Sequence, residues 1–226
     1  MLPPAVSEAI VDAARAATRH QRDQLVRRAE RAVEAYEAER FTEALRLAKQ
    51  VLTAAPGVPV LDEVAGLAAY RLGRWREAAQ HLERYRETTG EVDLVPVLMD
   101  CMRALRRTAR VGELWHELRR ASPGAEVLAE ARIVSAGALA DTGDLSGAIG
   151  LLSAAAAKPL RNPSERHLRQ WYALGDLYDR AGDVPRAREL FTRVARSDPD
   201  AFDVRSRLES LGGQMRAKQH RRQSSA

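Results

Sequence analysis

The sequence predicts an all-α chain built from helical hairpins set side by side, and three observations carry that expectation. With 45% hydrophobic but only 5% aromatic residues in 226, the core is one of Ala, Leu and Val, which suits closely packed helices better than a β-sandwich. Apolar residues recur three and four apart along most of the chain, the period of a helix with one buried face. A longer period lies on top: Ala32, Gly66, Met99, Ala136 and Gly175 each open a helix crossing, at intervals of 34, 33, 37 and 39. Each helix has one apolar face, and neither helix of a pair can bury it alone.

In order, Pro3-Pro4 introduces residues 1–24, read as an end-capping helix with Ser7 as N-cap and Val6, Ile10, Ala13, Ala14 and Ala17 as its stripe. A polar stretch from Thr18 to Gln24 follows. No Gly or Pro falls between Pro4 and Pro56, so a bend and a continuous helix both stand open there. The first unit, 25–58, keeps Leu25, Ala29, Ala32, Ala44, Ala48, Val51 and Pro56. The second, 59–91, has Gly66, Tyr70, Gly73, Trp75, Ala78, Leu82 and Tyr85, with Leu-Gly-Arg-Trp as its turn. The third, 92–125, is the most irregular, with Met99 and Val111 where smaller residues are expected, yet Leu98, Met102, Leu105, Leu114, Trp115 and Leu118 sustain the period. The fourth, 129–162, restores Ala136, Leu139, Gly143, Ala148, Leu151, Leu152 and Ala155, and Pro159 and Pro163 then interrupt helix. After the fifth, 168–201, a closing helix over 200–211 carries Phe202, Val204, Leu208 and Leu211. Gly212-Gly213 should end it, leaving 212–226 as a disordered basic tail.

The fifth unit is the most regular. Trp171, Leu174-Gly175 and Tyr178 lie on one side of a helix that Gly182-Asp183 breaks; Ala187, Leu190, Phe191 and Val194 repeat the pattern before Asp198-Pro199 stops it. This order resembles the tetratricopeptide repeat, in which Trp, Leu-Gly, Tyr, Ala, Phe and a closing Pro are spread over about 34 residues; Val194 stands where that family usually has Ala. The resemblance implies a right-handed superhelical α-solenoid of about five hairpins with end-capping helices. The chain is also similar to small repeat proteins of high-GC bacteria that begin Leu-Pro-Pro and carry a segment like Gly66 to Gly73, a likeness that brings no activity with it.

The chemistry of enzymes is missing from the pattern. His20, His81, His116, His167 and His220 are scattered without metal-ligand spacing and read as solvated surface histidines. Phosphate-cradling glycine motifs do not occur, and Gly143-Asp144 and Gly182-Asp183 read as turns. Cys101, between Met99 and Met102, reads as a packed core thiol. The expectation is a non-catalytic chain with no cofactor and no metal. A lone cysteine fits a reducing cytoplasm. The N-terminus lacks the basic start and apolar run of a secretory signal, and no 18-residue apolar stretch occurs.

By resemblance, such repeats hold an extended peptide or a partner's helix on a concave face made by the first helix of each pair. Carried onto this sequence, that face is Tyr36, Glu63, Tyr70, Arg71, Asp100, Arg103, Tyr172, Asp176, Asp179 and Arg180, with Val33 and Leu67 beside them. Tyrosine and arginine concentrate binding energy, although several of these tyrosines serve equally well as core between repeats. The clamp of Lys and Asn by which some family members grip a C-terminal carboxylate is not placed there. The second reading is an anionic partner, nucleic acid or an acidic protein, held by Arg103, Arg106, Arg107 and Arg110 and the tail's Arg216, Lys218, Arg221 and Arg222. Against nucleic acid, the tail bases account for most of the net charge of +5 and the body is close to neutral. Self-association is compatible with either reading, and the tail is long enough to fold back over the concave face.

Overall fold

Where each hairpin turns, one residue adopts a left-handed backbone: Glu39 (φ 57°), Gly73 (70°), Arg106 (60°), Gly143 (92°) and Gly182 (77°). Each lies seven residues after its crossing residue, so the five hairpins share one turn geometry whether or not glycine occupies the site. Its hydrogen bonds repeat as well: Gly73 N donates to Tyr70 O at 2.9 Å and Arg74 N to Ala69 O at 2.9 Å, as Glu39 N does to Tyr36 O and Arg40 N to Ala35 O. Of the five, only Glu39 and Arg106 bear the steric cost of a side chain at positive φ.

A computed structural model describes residues 2–156 and 160–223, with side chains up to Gly213. Among the described residues there are helices and no strands. α1 (Pro4–Ala13) precedes the hairpins α2 (Arg19–Glu37) with α3 (Phe41–Ala54), α4 (Pro59–Arg71) with α5 (Trp75–Thr89), and α6 (Val95–Ala104) with α7 (Thr108–Ala121). These form one compact unit, which ends at Pro123. From Gly124 a second unit holds α8 (Ala125–Asp141) with α9 (Leu145–Ala156), α10 (Glu165–Arg180) with α11 (Val184–Ser197), and α12 (Val204–Gln223). The expected all-α helical-repeat class is what forms.

Within each unit first helices lie beside first helices, and in the first unit polar pairs mark the layer of second helices as well. In the first unit Tyr70 of α4 bonds Asp100 of α6, while Lys49 of α3 pairs with Glu77 of α5 and Arg86 of α5 with Glu117 of α7 at 2.8 Å. In the second, Arg166 and Arg169 of α10 reach Glu126 (2.7 Å) and Glu130 (3.1 Å) of α8. The core lies between the layers. Sixteen residues after each crossing residue stands a buried side chain of the second helix: Ala48, Leu82, Trp115, Leu152 and Phe191. At Gly175 a Cβ would stand 3.0 Å from the Phe191 ring, and at Gly66 one would stand 2.9 Å from Leu82, so both glycines are required by close approach rather than by flexibility. Met99 at the corresponding position of the third hairpin is fully buried, so that irregular unit keeps the architecture with larger residues.

The ends differ from expectation in two places. Ser7 lies inside α1; the N-cap is Pro3, with Pro4 at the first helical position, where its missing N–H costs nothing. The bend left open in the sequence is real: α1 ends at Ala13, and Thr18 starts α2 through a capping box, its Oγ1 accepting from Gln21 N at 3.3 Å while Gln21 Oε1 accepts from Thr18 N at 2.8 Å. α12 continues through Gly212-Gly213 to Gln223, neither glycine taking the positive φ that would have stopped it, and residues 224–226 of the expected tail lie outside the described ones. Pro159 also lies outside them; 160–164 are non-helical around Pro163.

Candidate partner-binding site

The expected site residues occupy four positions of the first helices. Glu63 and Tyr172 stand three before the crossing residue and Asp100 and Asp176 one after it; Tyr36, Tyr70, Arg103 and Asp179 stand four after, and Arg71 and Arg180 five after. The fold brings them together as two groups, one in each unit.

In the first unit, Tyr36 of α2 is half-buried and sets its ring edge-on to Phe41, 5.6 Å between centroids. The Arg71 guanidinium of α4 lies 4.4 Å from the centre of the same Phe41 ring and 3.6 Å from Glu39, its side chain still half exposed. Burial pushes the Tyr36 hydroxyl up, opposed by Arg71 and reinforced by the Glu63 carboxylate. Glu63 is half-buried, burial raises its carboxyl, and among the described residues it holds no hydrogen bond or ion pair. Tyr70 is committed elsewhere: its hydroxyl donates to Asp100 Oδ2 at 2.7 Å and its ring packs edge-on to Trp75 at 5.4 Å, so burial first and that bond second push it well above the usual tyrosine range. Arg103 sits 3.5 Å from Asp100 on the same helix. Tyr70 and Asp100 therefore join α4 to α6, whereas Tyr36, Glu63 and Arg71 stay in reach of a ligand.

In the second unit the expected anchors are engaged by neighbouring helices. The Tyr172 hydroxyl donates to Asp203 beside α12, and its ring packs on Phe191 (5.3 Å) and Phe202 (4.8 Å). Burial and the Asp203 bond push that hydroxyl up to about 12. Arg207 of α12 pairs with Asp176, lies 3.7 Å from Asp179, and stacks over Phe191 at 5.2 Å. Arg180 donates to the Ala140 carbonyl of α8 at 3.3 Å.

One polar cluster went unread in the sequence. Asp62 of α4 is 2% exposed; it lies 2.7 Å from His81 Nδ1 and accepts from Arg84 Nε at 3.1 Å, both on α5. His81, expected on the surface, is 6% exposed because it stands fifteen residues after Gly66, where α5 faces the crossing. A signal was present: Asp62 interrupts the apolar run Val60-Leu61-Asp62-Glu63-Val64-Ala65 four residues before the crossing glycine, an inward position. The other histidines divide. His20 and His116 are exposed; His167 caps α10, its Nδ1 accepting from Ser164 N at 3.1 Å; His220 falls beyond the described side chains. Cys101 is fully buried and its thiol is pushed up to about 12, which makes it a poor nucleophile. Among the described residues no group of three or more His, Cys, Asp or Glu could hold a metal ion.

The arginine run proposed for anions is partly neutralised. Arg110 reaches Glu113 (3.0 Å), Glu117 (3.4 Å) and Glu83 (3.9 Å), and Arg103 faces Asp100. Arg106 and Arg107 are exposed in the turn between α6 and α7.

A family model described as tetratricopeptide repeat matches residues 29–92 and 172–208, which take in most of the first two hairpins, the second half of α10, all of α11 and the start of α12. TTC0263, a thermophilic TPR protein of Thermus thermophilus, is similar in structure: the TM-score is 0.60 at 20% identity, over 83% of this chain and 98% of that one. The fold is the tetratricopeptide-repeat fold. YrrB, a TPR protein with an unusual peptide-binding site, shares it at a TM-score of 0.51 and 20% identity, over 77% of this chain and 86% of that one. No curated protein matches the sequence. The irregular third hairpin, α6 with α7, lies between the two matched segments, as the larger residues at Met99 and Val111 would lead one to expect.

Proposed function

We propose that the chain is a non-catalytic scaffold that holds an extended segment or helix of another protein against the first-helix face of its first unit. The observation that carries this reading is Glu63, a half-buried carboxylate that meets no partner among the described residues and acts electrostatically on Tyr36 of the adjacent first helix, with the half-exposed Arg71 guanidinium two turns on along α4. A carboxylate in that state gains from a donor that a ligand supplies, and Tyr and Arg beside it give the large contact area that concentrates binding energy. The fold shared with YrrB, which has a peptide-binding site, supports the same reading. Tyr70, Asp100 and Arg103 frame the face; Tyr172, Asp176, Asp179 and Arg180 form the corresponding surface of the second unit. A lone buried thiol suits a reducing, cytoplasmic setting, and among the described residues no helix is long and apolar enough to cross a membrane.

The test is retention of partners from a cell lysate by the immobilised intact chain, compared with a Glu63→Arg/Arg71→Glu variant and with Arg46→Glu/Arg76→Glu on the second-helix layer. Partners held by the wild type should be lost by the first variant and kept by the second. Equal retention by all three would remove the reading. Binding of random-sequence DNA that falls steeply with salt would instead favour the anionic partner.

A further inference from the structure

In the second unit α12 packs on α11, and the residues at its start reach across to the first-helix face of α10. Asp203 and Arg207, one helical turn apart with Arg207 N donating to Asp203 O at 3.1 Å, present a carboxylate and a guanidinium to α10. The carboxylate meets the Tyr172 hydroxyl, and the guanidinium meets Asp176 and Asp179. The receiving surface is thus one hydroxyl donor and two carboxylates in a row along α10, complementary to an acid followed four residues later by an arginine.

The occupant fits imperfectly. Phe202, immediately before α12, is held at φ 54° and remains 50% exposed although its ring leans on Tyr172. Arg207 Nε is buried with no acceptor. Of the side chains described on α12, Val204 and Leu211 are the ones fully enclosed, and two consecutive glycines sit in the middle of the helix, where they weaken it. A strained entry, an unsatisfied buried donor and a weak helix are properties of an element at the low-stability end of a fold.

We propose that α12 is a displaceable occupant of the α10 face, and that the ligand which replaces it is a helix of a partner protein carrying an acid and an arginine at i and i+4. α12 then acts as a gate: the face accepts a partner only when α12 lifts, so apparent affinity is reduced by the fraction of chains in which it is closed. The proposal rests on the reading of the chain as a polypeptide-binding scaffold. Its test, however, involves α10 and α12 alone, so its failure leaves the Glu63 face standing.

The probe is a fluorescent synthetic peptide spanning residues 200–223, added to the full chain. Arg207→Glu sets like charges against each other in cis, and that variant should bind the peptide at least about tenfold more tightly than the wild type. Adding Asp176→Arg and Asp179→Arg to it should abolish binding. Hydrogen exchange of the wild-type chain reads the gate without any substitution: α12 amides should exchange much faster than those of α10. The proposal is overturned if the folded Arg207→Glu chain binds no better than the wild type, or if α12 is as protected as α10, which would make it a fixed end of the fold. Dimers that free peptide dissolves would identify the occupant as a second copy of this chain and likewise overturn the partner assignment.

Discussion

Glu39 and Arg106 occupy the left-handed turn position that Gly73, Gly143 and Gly182 fill in the other hairpins. Replacing either by glycine should stabilise the chain by about 1 kcal/mol, and Gly73→Ala should cost about as much, both read from urea midpoints. The spacing of the crossing residues was visible in the sequence; the turn site seven residues on was not, because two of its five occupants are not glycine. Gly175→Ala tests close packing in turn: its new methyl would press on the buried Phe191 ring, for a loss of roughly 1–3 kcal/mol. Tyr172 gives a pH signature. Its hydroxyl, raised to about 12 in the folded chain, keeps its proton where the unfolded chain releases it near 10. The folded state therefore binds more protons in that window, and stability should fall as pH rises from about 10 towards 12. Tyr172→Phe should flatten that fall.

Between elements, the second helices start without help in three hairpins. Arg40, Arg74 and Arg107 stand at the N-caps of α3, α5 and α7 and make no cap bond, whereas Asp183 accepts from Arg186 N at 3.2 Å on α11. Arg107→Asp should therefore add about 1 kcal/mol of stability, and it also removes one of the two exposed arginines of the α6–α7 turn. The Asp62–His81–Arg84 cluster locks α4 to α5. Asp62→Ala, which leaves His81 and Arg84 without their acceptor, should cost roughly 2 kcal/mol or more by thermal or urea unfolding, and the double change Asp62→Leu/His81→Leu should cost less than that single one. The helices and their order were legible because each apolar stripe is periodic. The cluster was not, since the type of a polar residue says nothing of its burial until its position relative to the crossing is used. Nor was the end of α12, where two glycines that would suit a stop take helical angles instead.

Across the whole chain, the hairpin pattern was legible in the sequence down to the crossing residues, whereas the division of the site was not. All ten expected site residues follow from the repeat resemblance, which places them by register on the first helices. Register alone cannot tell Glu63, which meets no partner among the described residues, from Asp176, which meets Arg207 thirty-one residues on; that depends on which helix lies alongside. Tyr70 and Tyr172 were open to the same ambiguity between anchor and core, and their hydroxyls resolve it towards helix–helix contact. The surface proposed for a partner is that of α2 and α4 around Glu63 and Arg71. A photo-crosslinking side chain at Leu67, one turn after Glu63 on α4, tests this surface directly when compared with the same group at Arg76 on α5. Adducts with a partner protein should form from position 67 and not from 76; adducts from position 76 alone would show that the binding face had been assigned to the wrong layer of helices.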